Sequence, residues 1–211
     1  MKFSLKILES ESQIKKMIVQ ALLPSCEEFM DQVLQNIQRE LPNIVSSAIL
    51  NRPEYISLVS GTLRLELGIP DANSKVASII NTWMSNIVYE FKKPTFSGNK
   101  IKSSISAKLI KADFADILGL PEATVVDMAR GYSLPWFEWL LLDGSKTIIP
   151  NHNVVFGPNS RSRTGGAIMR VSSTSWKVPS EFAGTISDNW ITRSIDDAES
   201  AIQDLLTRTL S

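Results

Sequence analysis

The segment Asn73–Phe91, NSKVASIINTWMSNIVYEF, carries the clearest helical pattern in the chain. Its apolar residues recur at spacings of three and four, which places them on one face of an α-helix. That face consists of Val76, Ile79, Ile80, Trp83, Met84, Ile87, Val88 and Phe91. The pattern predicts an amphipathic helix that ends at Lys92-Lys93-Pro94, because a proline after the last periodic residue is typical of a helix end.

The residues upstream of this segment show the same helical spacing from Ile14 to Leu41. Two Ser-x-x-Gln/Glu pairs have the spacing of capping boxes at helix starts. These pairs are Ser10 with Gln13 and Ser25 with Glu28. We therefore expect helices that begin near residue 10 and again near residue 25.

Two prolines interrupt this helical stretch. Proline lacks the backbone N–H and clashes with the preceding turn, so we expect a kink or a split at Pro24 and a helix end at Pro42. Short helical turns are then predicted for residues 43–50, 53–59 and 62–67, which are separated by Asn51, Gly61 and Gly68.

The second half of the chain changes to strand and turn patterns. Ile101–Lys111 alternates apolar and polar residues and favours a half-buried strand, although its apolar residues are also spaced by four as on a helix. A short helix is predicted for Glu122–Ala129, after Pro121. Trp136–Leu142 leads through Asp143-Gly144 into Lys146–Ile149, and Asp-Gly between apolar runs predicts a strand hairpin.

The last part of the chain adds two strands and a helix. Val154–Phe156 and Ala167–Val171 read as strands joined by a polar loop at residues 157–166, and an amphipathic helix capped by Asp188 is predicted for residues 188–210.

Together the elements predict an α+β fold, in which a long kinked helix and an amphipathic helix pack with a small, mostly antiparallel β-sheet and a long C-terminal helix. The composition changes near residue 92. We expect either a helical subdomain at residues 1–92 and an α+β subdomain at residues 93–211, or one integrated domain.

Composition excludes several classes of function. The chain has 22 Lys plus Arg and 22 Asp plus Glu, a formal net charge of +0, so any charge-driven binding must be local. A single cysteine, Cys26, excludes an internal disulfide, and a single histidine, His152, excludes His-rich zinc sites. The apolar stretches are too short to span a membrane, and residues 1–9 do not have the pattern of an export signal.

The residues that most often carry catalysis do not form a recognisable constellation. We interpret His152 as an ordinary loop histidine and Cys26 as a buried small side chain. Asp196, Asp197 and Glu199 fall on a solvated helix face. We therefore expect a protein that is not an enzyme and that binds no metal or cofactor.

The loop at residues 157–166, GPNSRSRTGG, is the most unusual stretch of the chain. Arg161 and Arg163 stand among small polar residues between two strands, where each guanidinium is free to extend. Carboxylates of a neighbouring subunit, DNA phosphates and plain solvent all remain possible targets. Because the middle of the chain is basic and the last helix is acidic, with Asp196 and Asp197, head-to-tail pairing of identical copies into a ring is a natural hypothesis.

The tryptophans divide into core and interface candidates. Trp83 and Trp190 belong to apolar helical stripes and are expected in the core. Trp136 and Trp139 would lie on opposite faces of a strand, so one face of that segment is expected to look outward, and Trp176 is the strongest interface candidate.

Three short motifs follow one another along the chain. The first is Ser60-Gly61-Thr62-Leu63-Arg64, and the second is Trp136-Phe137-Glu138-Trp139 with Asp143-Gly144. The third is Pro179–Thr185 followed by Asn189–Ile195. Their order resembles the early motif, the aromatic segment and the approach to the final helix in the neck and tail-completion proteins of tailed bacteriophages, in particular the minor tail protein family named after the tenth gene product of phage HK97.

The resemblance implies a structural virion protein that is assembled in the bacterial cytoplasm and forms a ring, with a hexamer favoured, between the head and the tail. Its partners would be copies of itself and neighbouring neck, tail-terminator or tube proteins, with DNA passing through the lumen and no membrane involved. The alternative function is a DNA-binding module that uses the central lysines and the Arg161/Arg163 loop. The interface candidates are Arg161, Arg163, Trp136, Trp139, Trp176, Asp196 and Asp197.

Overall fold

A helix of 40 residues, α1 (Glu11–Leu50), is the longest element of this computed structural model, which describes residues 9–97, 100–109, 114–127 and 131–211. The capping box predicted at its start is confirmed, since the Ser10 hydroxyl accepts from the Gln13 amide and the Gln13 side chain accepts from the Ser10 amide. The second predicted box is wrong, because Ser25 and Glu28 lie inside α1.

The predicted breaks at the two prolines are also wrong, since α1 runs through Pro24 and Pro42 without interruption. Around Pro42 the reason is packing. Buried residues every fourth position hold this half of the helix in the core and outweigh a proline cost of about 3 kcal/mol. They are Val33, Ile37, Leu41, Val45 and Ile49. The Asn43 side-chain amide also donates to the Arg39 carbonyl on the adjacent turn, at 3.3 Å.

Three helices follow α1. The helices α2 (Pro53–Val59) and α3 (Leu63–Glu66) confirm the second and third predicted short turns, whereas the first, residues 43–50, is wrong because these residues continue α1. Helix α4 (Ala72–Ser85) confirms most of the predicted amphipathic helix. That helix ends earlier than expected, at Asn86, because the chain enters strand β1 (Val88–Ser97). Val88 and Phe91 therefore belong to a strand, in which Tyr89 and Phe91 face inward.

Strand β1 pairs antiparallel with β2 (Lys100–Lys108), which confirms the strand predicted from Ile101 to Lys108. The register shifts between Lys92 and Thr95, around Pro94, since proline cannot donate to the ladder. One face of this hairpin packs on α1 and the other carries lysine, serine and threonine side chains.

The middle of the chain departs most from the predictions. It contains helix α5 (Ala115–Leu118), a 3-10 turn at Pro121–Ala123 and a pair of short antiparallel strands, β3 (Val125–Asp127) and β4 (Tyr132–Leu134). The helix predicted for Glu122–Ala129 is thus wrong for residues 122–127, the part of it that the structure describes.

The strand hairpin predicted from Trp136 is also wrong, because these residues form helix α6 (Trp136–Leu141). Its first residue follows Pro135, and Trp136, Phe137, Leu140 and Leu141 are all buried. This i, i+1, i+4, i+5 spacing is typical of one helical face rather than of a strand.

The two strands predicted around the arginine loop are confirmed as an antiparallel pair, β5 (His152–Phe156) and β6 (Ala167–Val171). The final helix, α7 (Trp190–Leu210), is confirmed with a corrected cap. Asn189, and not Asp188, accepts the amides of Ile191 and Thr192.

The elements make an α+β protein with three two-stranded antiparallel sheets among the described residues. Helix α1 packs against α7, α4 and the β1–β2 hairpin. Core residues from α1, α4, α6 and α7 form one hydrophobic cluster, whereas the division into two subdomains stays a prediction. Residues 1–8, Lys111 and Met128–Ala129, on which some predictions fall, lie outside the described residues.

Candidate functional site

The arginine loop at residues 157–166 is held by its own hydrogen bonds. Gly157 N–H donates to Gly166 O at 2.8 Å, and Asn159 N–H donates to Gly165 O at 3.0 Å. The Ser162 hydroxyl accepts from the amides of Thr164 and Ala167. The hydrogen bonds therefore fix the backbone conformation from which the loop presents its two arginines.

The two arginines of this loop have different surroundings. Arg163 Nε donates to Gly68 O at 3.1 Å, and its Nη1 lies 3.7 Å from Asp127 Oδ2. The expectation that both guanidinium groups extend freely is thus wrong for Arg163, which ties the loop to the end of α3 and to β3. The Arg161 side chain is exposed, and no described residue accepts a hydrogen bond from its guanidinium or forms an ion pair with it.

The loop forms one wall of a cleft of about 640 Å³, which we call the arginine cleft. The end of α3, the β3–β4 pair, α6 and the β5–β6 pair supply the other walls. The charged and polar groups that line it are Glu66, Asp127, His152, Arg161, Ser162 and Arg163, and the aromatic ones are Tyr132, Trp139 and Trp176.

Glu66 and the tryptophan pair lie at the back of the arginine cleft. Trp176 Nε1–H donates to Glu66 Oε2 at 3.3 Å, and the Trp139 and Trp176 rings meet edge to face at 6.3 Å between centroids. Burial raises the pKa of the Glu66 carboxyl, and the nearby Glu181 carboxylate adds to that rise, against the hydrogen bond from Trp176.

His152 is half-buried at the first position of β5 and also lines the arginine cleft. Its Nδ1 lies 2.9 Å from Pro150 O. Because a carbonyl oxygen only accepts, Nδ1 carries the hydrogen in this contact.

Because Arg163 is paired with Asp127, Arg161 is the cation of the arginine cleft that has no acidic partner among the described residues. The cleft can therefore receive a carboxylate at its mouth while apolar and aromatic walls take the neighbouring groups.

The structure places two of the predicted interface tryptophans in the core. Trp136 is 0% exposed and Trp176 is 4% exposed, so neither presents a surface to a partner of the folded chain. Trp136 Nε1 donates to Glu122 O at 2.9 Å, which satisfies its polar atom inside. Trp139 is half-buried, and the expectation that Trp136 and Trp139 lie on opposite faces of a strand is wrong because α6 replaces the strand.

The two predicted acidic residues of α7 also differ from each other. Asp197 Oδ2 accepts from Arg52 Nη1 at 2.9 Å and so belongs to an internal ion cluster. Asp196 is exposed, as is Glu199 one helical turn further on. Both carboxylates remain available on the same face of α7.

The internal ion cluster joins the start of α2 to the start of α7. The Glu54 side chain is 1% exposed, and it accepts from Arg193 Nη1 at 3.0 Å and from Arg52 Nε at 3.3 Å. Arg193 Nε also donates to Asp188 Oδ1 at 2.6 Å, and this hydrogen bond lowers the pKa of the Asp188 carboxyl. Sequence reasoning missed this cluster because residues 52–54 and 188–197 are far apart in the chain.

Two other surfaces bear on binding. The β1–β2 hairpin displays exposed lysines that we call the lysine ribbon: Lys92, Lys93, Lys100, Lys102 and Lys108. Glu90 is bound to Lys108 at 2.7 Å, which lowers the pKa of the Glu90 carboxyl. The amino-terminal part of α1 displays exposed apolar side chains, among them Ile18 and Leu22.

The part of the chain that the structure describes contains no group of three or more His, Cys, Asp and Glu side chains that could hold a metal ion. Over the same residues, no helix has the length and the apolar character needed to cross a lipid bilayer. Comparison of the chain with protein-family models, curated proteins and solved structures finds no match.

Proposed function

We propose that this chain is a non-enzymatic structural protein of a tailed-bacteriophage virion, which forms a ring with copies of itself at the neck and completes the joint between head and tail. The order of motifs that resembles the neck and tail-completion proteins supports this assignment. Neighbouring neck, tail-terminator or tube proteins would contact the ring above and below, and a hexamer is the favoured size.

The observation that carries the assembly part of the proposal is the difference between the two loop arginines. Arg163 is bound to Gly68 and Asp127 within the chain, whereas Arg161 is an exposed residue of the arginine cleft that has no partner among the described residues. A fixed loop that offers one free guanidinium is suited to a carboxylate of another molecule, because charge-assisted pairs have strict geometry.

The partner carboxylates would come from α7 of the next copy. Asp197 is already bound to Arg52, whereas Asp196 and Glu199 are exposed one turn apart and form an acidic face near the start of α7. A contact between the arginine cleft of one copy and α7 of the next is heterologous, and such contacts close into a ring when the rotation between copies permits.

Charge reversal tests this contact in particles purified from cells that naturally produce the protein. Arg161→Glu and Glu199→Arg should each abolish ring particles in electron micrographs, and the two changes in one chain should restore them. Arg170→Glu is the matched control, since Arg170 is an exposed arginine on β6 outside the arginine cleft. Particles unchanged in Arg161→Glu would refute the contact, and wild-type protein that never joins a particle would refute the virion function.

A second candidate function, DNA binding, is favoured by the lysine ribbon. Its lysines share a two-stranded ribbon with serine and threonine residues, and among the described residues only Lys108 has an ion-pair partner, Glu90. If the four other lysines each contact one phosphate, the logarithm of the binding constant should fall with the logarithm of salt concentration with a slope of about −3.6.

The test of this candidate is Lys92→Glu with Lys102→Glu, compared with Lys177→Glu, which changes an exposed lysine outside the hairpin. Loss of duplex binding in the hairpin variant alone would support it. Equal binding by both variants, or no binding by the wild type at low salt, would exclude it.

A further inference from the structure

The acidic face of α7 matches only part of what the arginine cleft offers to a neighbouring copy. Asp196 and Glu199 supply carboxylates for Arg161 but no apolar surface. The cleft also has apolar and aromatic walls, which include Leu65, Leu134, Trp139 and Met169. A specific interface combines charged pairs at its rim with a buried apolar anchor, and the anchor carries much of the binding energy. The proposed ring contact therefore lacks an anchor for these walls.

Exposed apolar side chains of the chain itself are the candidates for this anchor. Among the described residues, four such large side chains lie outside α1 and outside the two hairpins that form the cleft, β3–β4 and β5–β6. They are Ile56, Val88, Ile186 and Leu210. Val88 lies opposite Lys108 on the lysine ribbon, and the cations of this ribbon would repel Arg161. Leu210 lines a separate apolar groove beside Phe29 of α1.

The two remaining candidates differ in the charge that accompanies them. The four residues after Ile56 carry no charge. Ile186 lies two residues before Asp188, whose carboxylate is bound to Arg193 but is 68% exposed, and four residues before the first residue of α7. Ile186 is thus the exposed apolar residue that is directly joined to the acidic helix.

The turn that carries this residue, Thr185–Asp188, has a fixed conformation, and we call it the Ile186 turn. Thr185 N–H donates to Asp188 O at 2.8 Å, and Asp188 N–H donates to the Thr185 hydroxyl at 3.2 Å. The Asn189 side-chain amide donates to Thr185 O at 2.8 Å, which joins the turn to the cap of α7. The Ile186 side chain is nevertheless 65% exposed. A side chain presented from an ordered backbone loses little freedom on binding, which suits an interface anchor.

We propose that the Ile186 turn of one copy enters the arginine cleft of the next copy. This inference rests on the proposed ring contact and names the apolar anchor that accompanies its charged pair. The cleft, at about 640 Å³, is much larger than one isoleucine side chain, so Thr185 and Ser187 enter it together with Ile186. The Ile186 turn contributes no residue to the lining of the cleft in its own chain, so it is available to a neighbour.

This docking is consistent with the charged pair that the ring contact requires. Asp196 and Glu199 follow Trp190, the first residue of α7, by about 9 and 14 Å along the helix axis. Entry of the Ile186 turn therefore leaves both carboxylates outside the apolar part of the cleft. They lie at the rim of the contact, where a charged pair with the exposed Arg161 is expected.

Cross-linking of the purified full chain tests the proposal. Two versions are prepared in a Cys26→Ser background, since Cys26 is the only cysteine of the sequence. One version carries Ile186→Cys, and the other, with a different tag, carries Tyr132→Cys in the wall of the cleft. A short bis-maleimide should join the two versions when they are mixed at high concentration. Adding Arg161→Glu to the cleft version should reduce the yield at least fivefold.

The matched control replaces Ile186→Cys with Ile56→Cys, at a side chain that is 54% exposed, and should give no product above background. In particles from cells that naturally produce the protein, Ile186→Asp should abolish rings, whereas Ile186→Leu and Ile56→Asp should retain them. Far-UV circular dichroism should show that all variants fold, since the changed side chains are exposed.

The outcomes separate this anchor from the ring and from the virion function. Absence of the cross-linked product, or equal yields from Ile56→Cys and Ile186→Cys, would overturn the proposal. Rings that are lost in Arg161→Glu but kept in Ile186→Asp would also overturn it and would leave the ring contact standing. Specific cross-linking in a protein that never joins a particle would support the anchor and refute the virion function.

Discussion

Loss of the Arg193 side chain should destabilise the protein far more than loss of Arg208, the other arginine of α7. Arg193 donates to the Glu54 and Asp188 carboxylates and, at 3.0 Å, to the Ala183 carbonyl. In Arg193→Met the Glu54 carboxylate, which is 1% exposed, would lose one of its two arginine partners.

The expected magnitude follows from this burial. Breaking a buried ion pair by removal of one partner costs about 3–5 kcal/mol, because the remaining charge stays desolvated. Arg52 still contacts Glu54 at 3.3 Å, so the lower end of that range, about 3 kcal/mol, applies. With a denaturant dependence of about 2 kcal/mol per molar urea, the unfolding midpoint should fall by about 1.5 M.

Urea unfolding followed by both tryptophan fluorescence and far-UV circular dichroism measures the change, and coincident curves would justify a two-state treatment. Arg208→Met is the matched control. Arg208 is also on α7 and contacts Glu40 on α1, but its side chain is 68% exposed, so its removal should cost less than about 1 kcal/mol.

A double variant separates the buried charge from the lost packing. Adding Glu54→Leu to Arg193→Met removes the uncompensated carboxylate and should recover more than half of the lost stability. If Arg193→Met costs no more than Arg208→Met, or if the double variant is less stable than Arg193→Met alone, the reasoning is refuted.

Two further predictions concern the arginine cleft. Gly68 has φ +64, and a Cβ at this position would lie 2.6 Å from Arg163 Nη2. Gly68→Ala should therefore lower the free energy of unfolding by more than the about 1–2 kcal/mol expected from the backbone conformation alone, whereas Gly165→Ala, with φ +76 and open space around it, should lower it only by that amount. Equal losses of stability in urea unfolding would contradict the role of Arg163. Burial raises the pKa of the Glu66 carboxyl, so the folded state binds this proton more tightly than the unfolded state does. Protonated Glu66 therefore contributes to the stability of the folded state. This contribution is complete below the ordinary glutamate pKa and is lost as the pH rises through the raised pKa. Glu66→Gln should therefore raise the unfolding midpoint at neutral pH and leave it unchanged in strongly acid buffer, and a gain of the same size at both pH values would be inconsistent with the raised pKa.

The sequence predicted elements whose pattern is local. Helix α7, strands β5 and β6 and the Ser10 capping box were predictable because apolar spacing and capping residues act over one or two turns. The same local reasoning failed where tertiary packing decides. Pro42 is tolerated because the residues around it are buried, and that burial depends on α7 and the β1–β2 hairpin.

The failures at Val88 and Trp136 have a different cause. Apolar residues at Ile87, Val88 and Phe91 fit a helix and a strand equally well, and Asn86 ends the helix before them. At Trp136 the Asp143-Gly144 turn signal suggested a hairpin, although the spacing of buried residues after Pro135 is helical. Short apolar runs are ambiguous between the two structures until their partners are known.

The candidate site was predictable only in part. The sequence indicated the arginine loop, but the groups that distinguish Arg163 from Arg161 come from Gly68 and Asp127, which no spacing relates to the loop. The exposure of Ile18, Leu22 and Phe29 was also missed, since the same apolar spacing continues unchanged into the buried half of α1. Exposure, rather than pattern, separates the two halves.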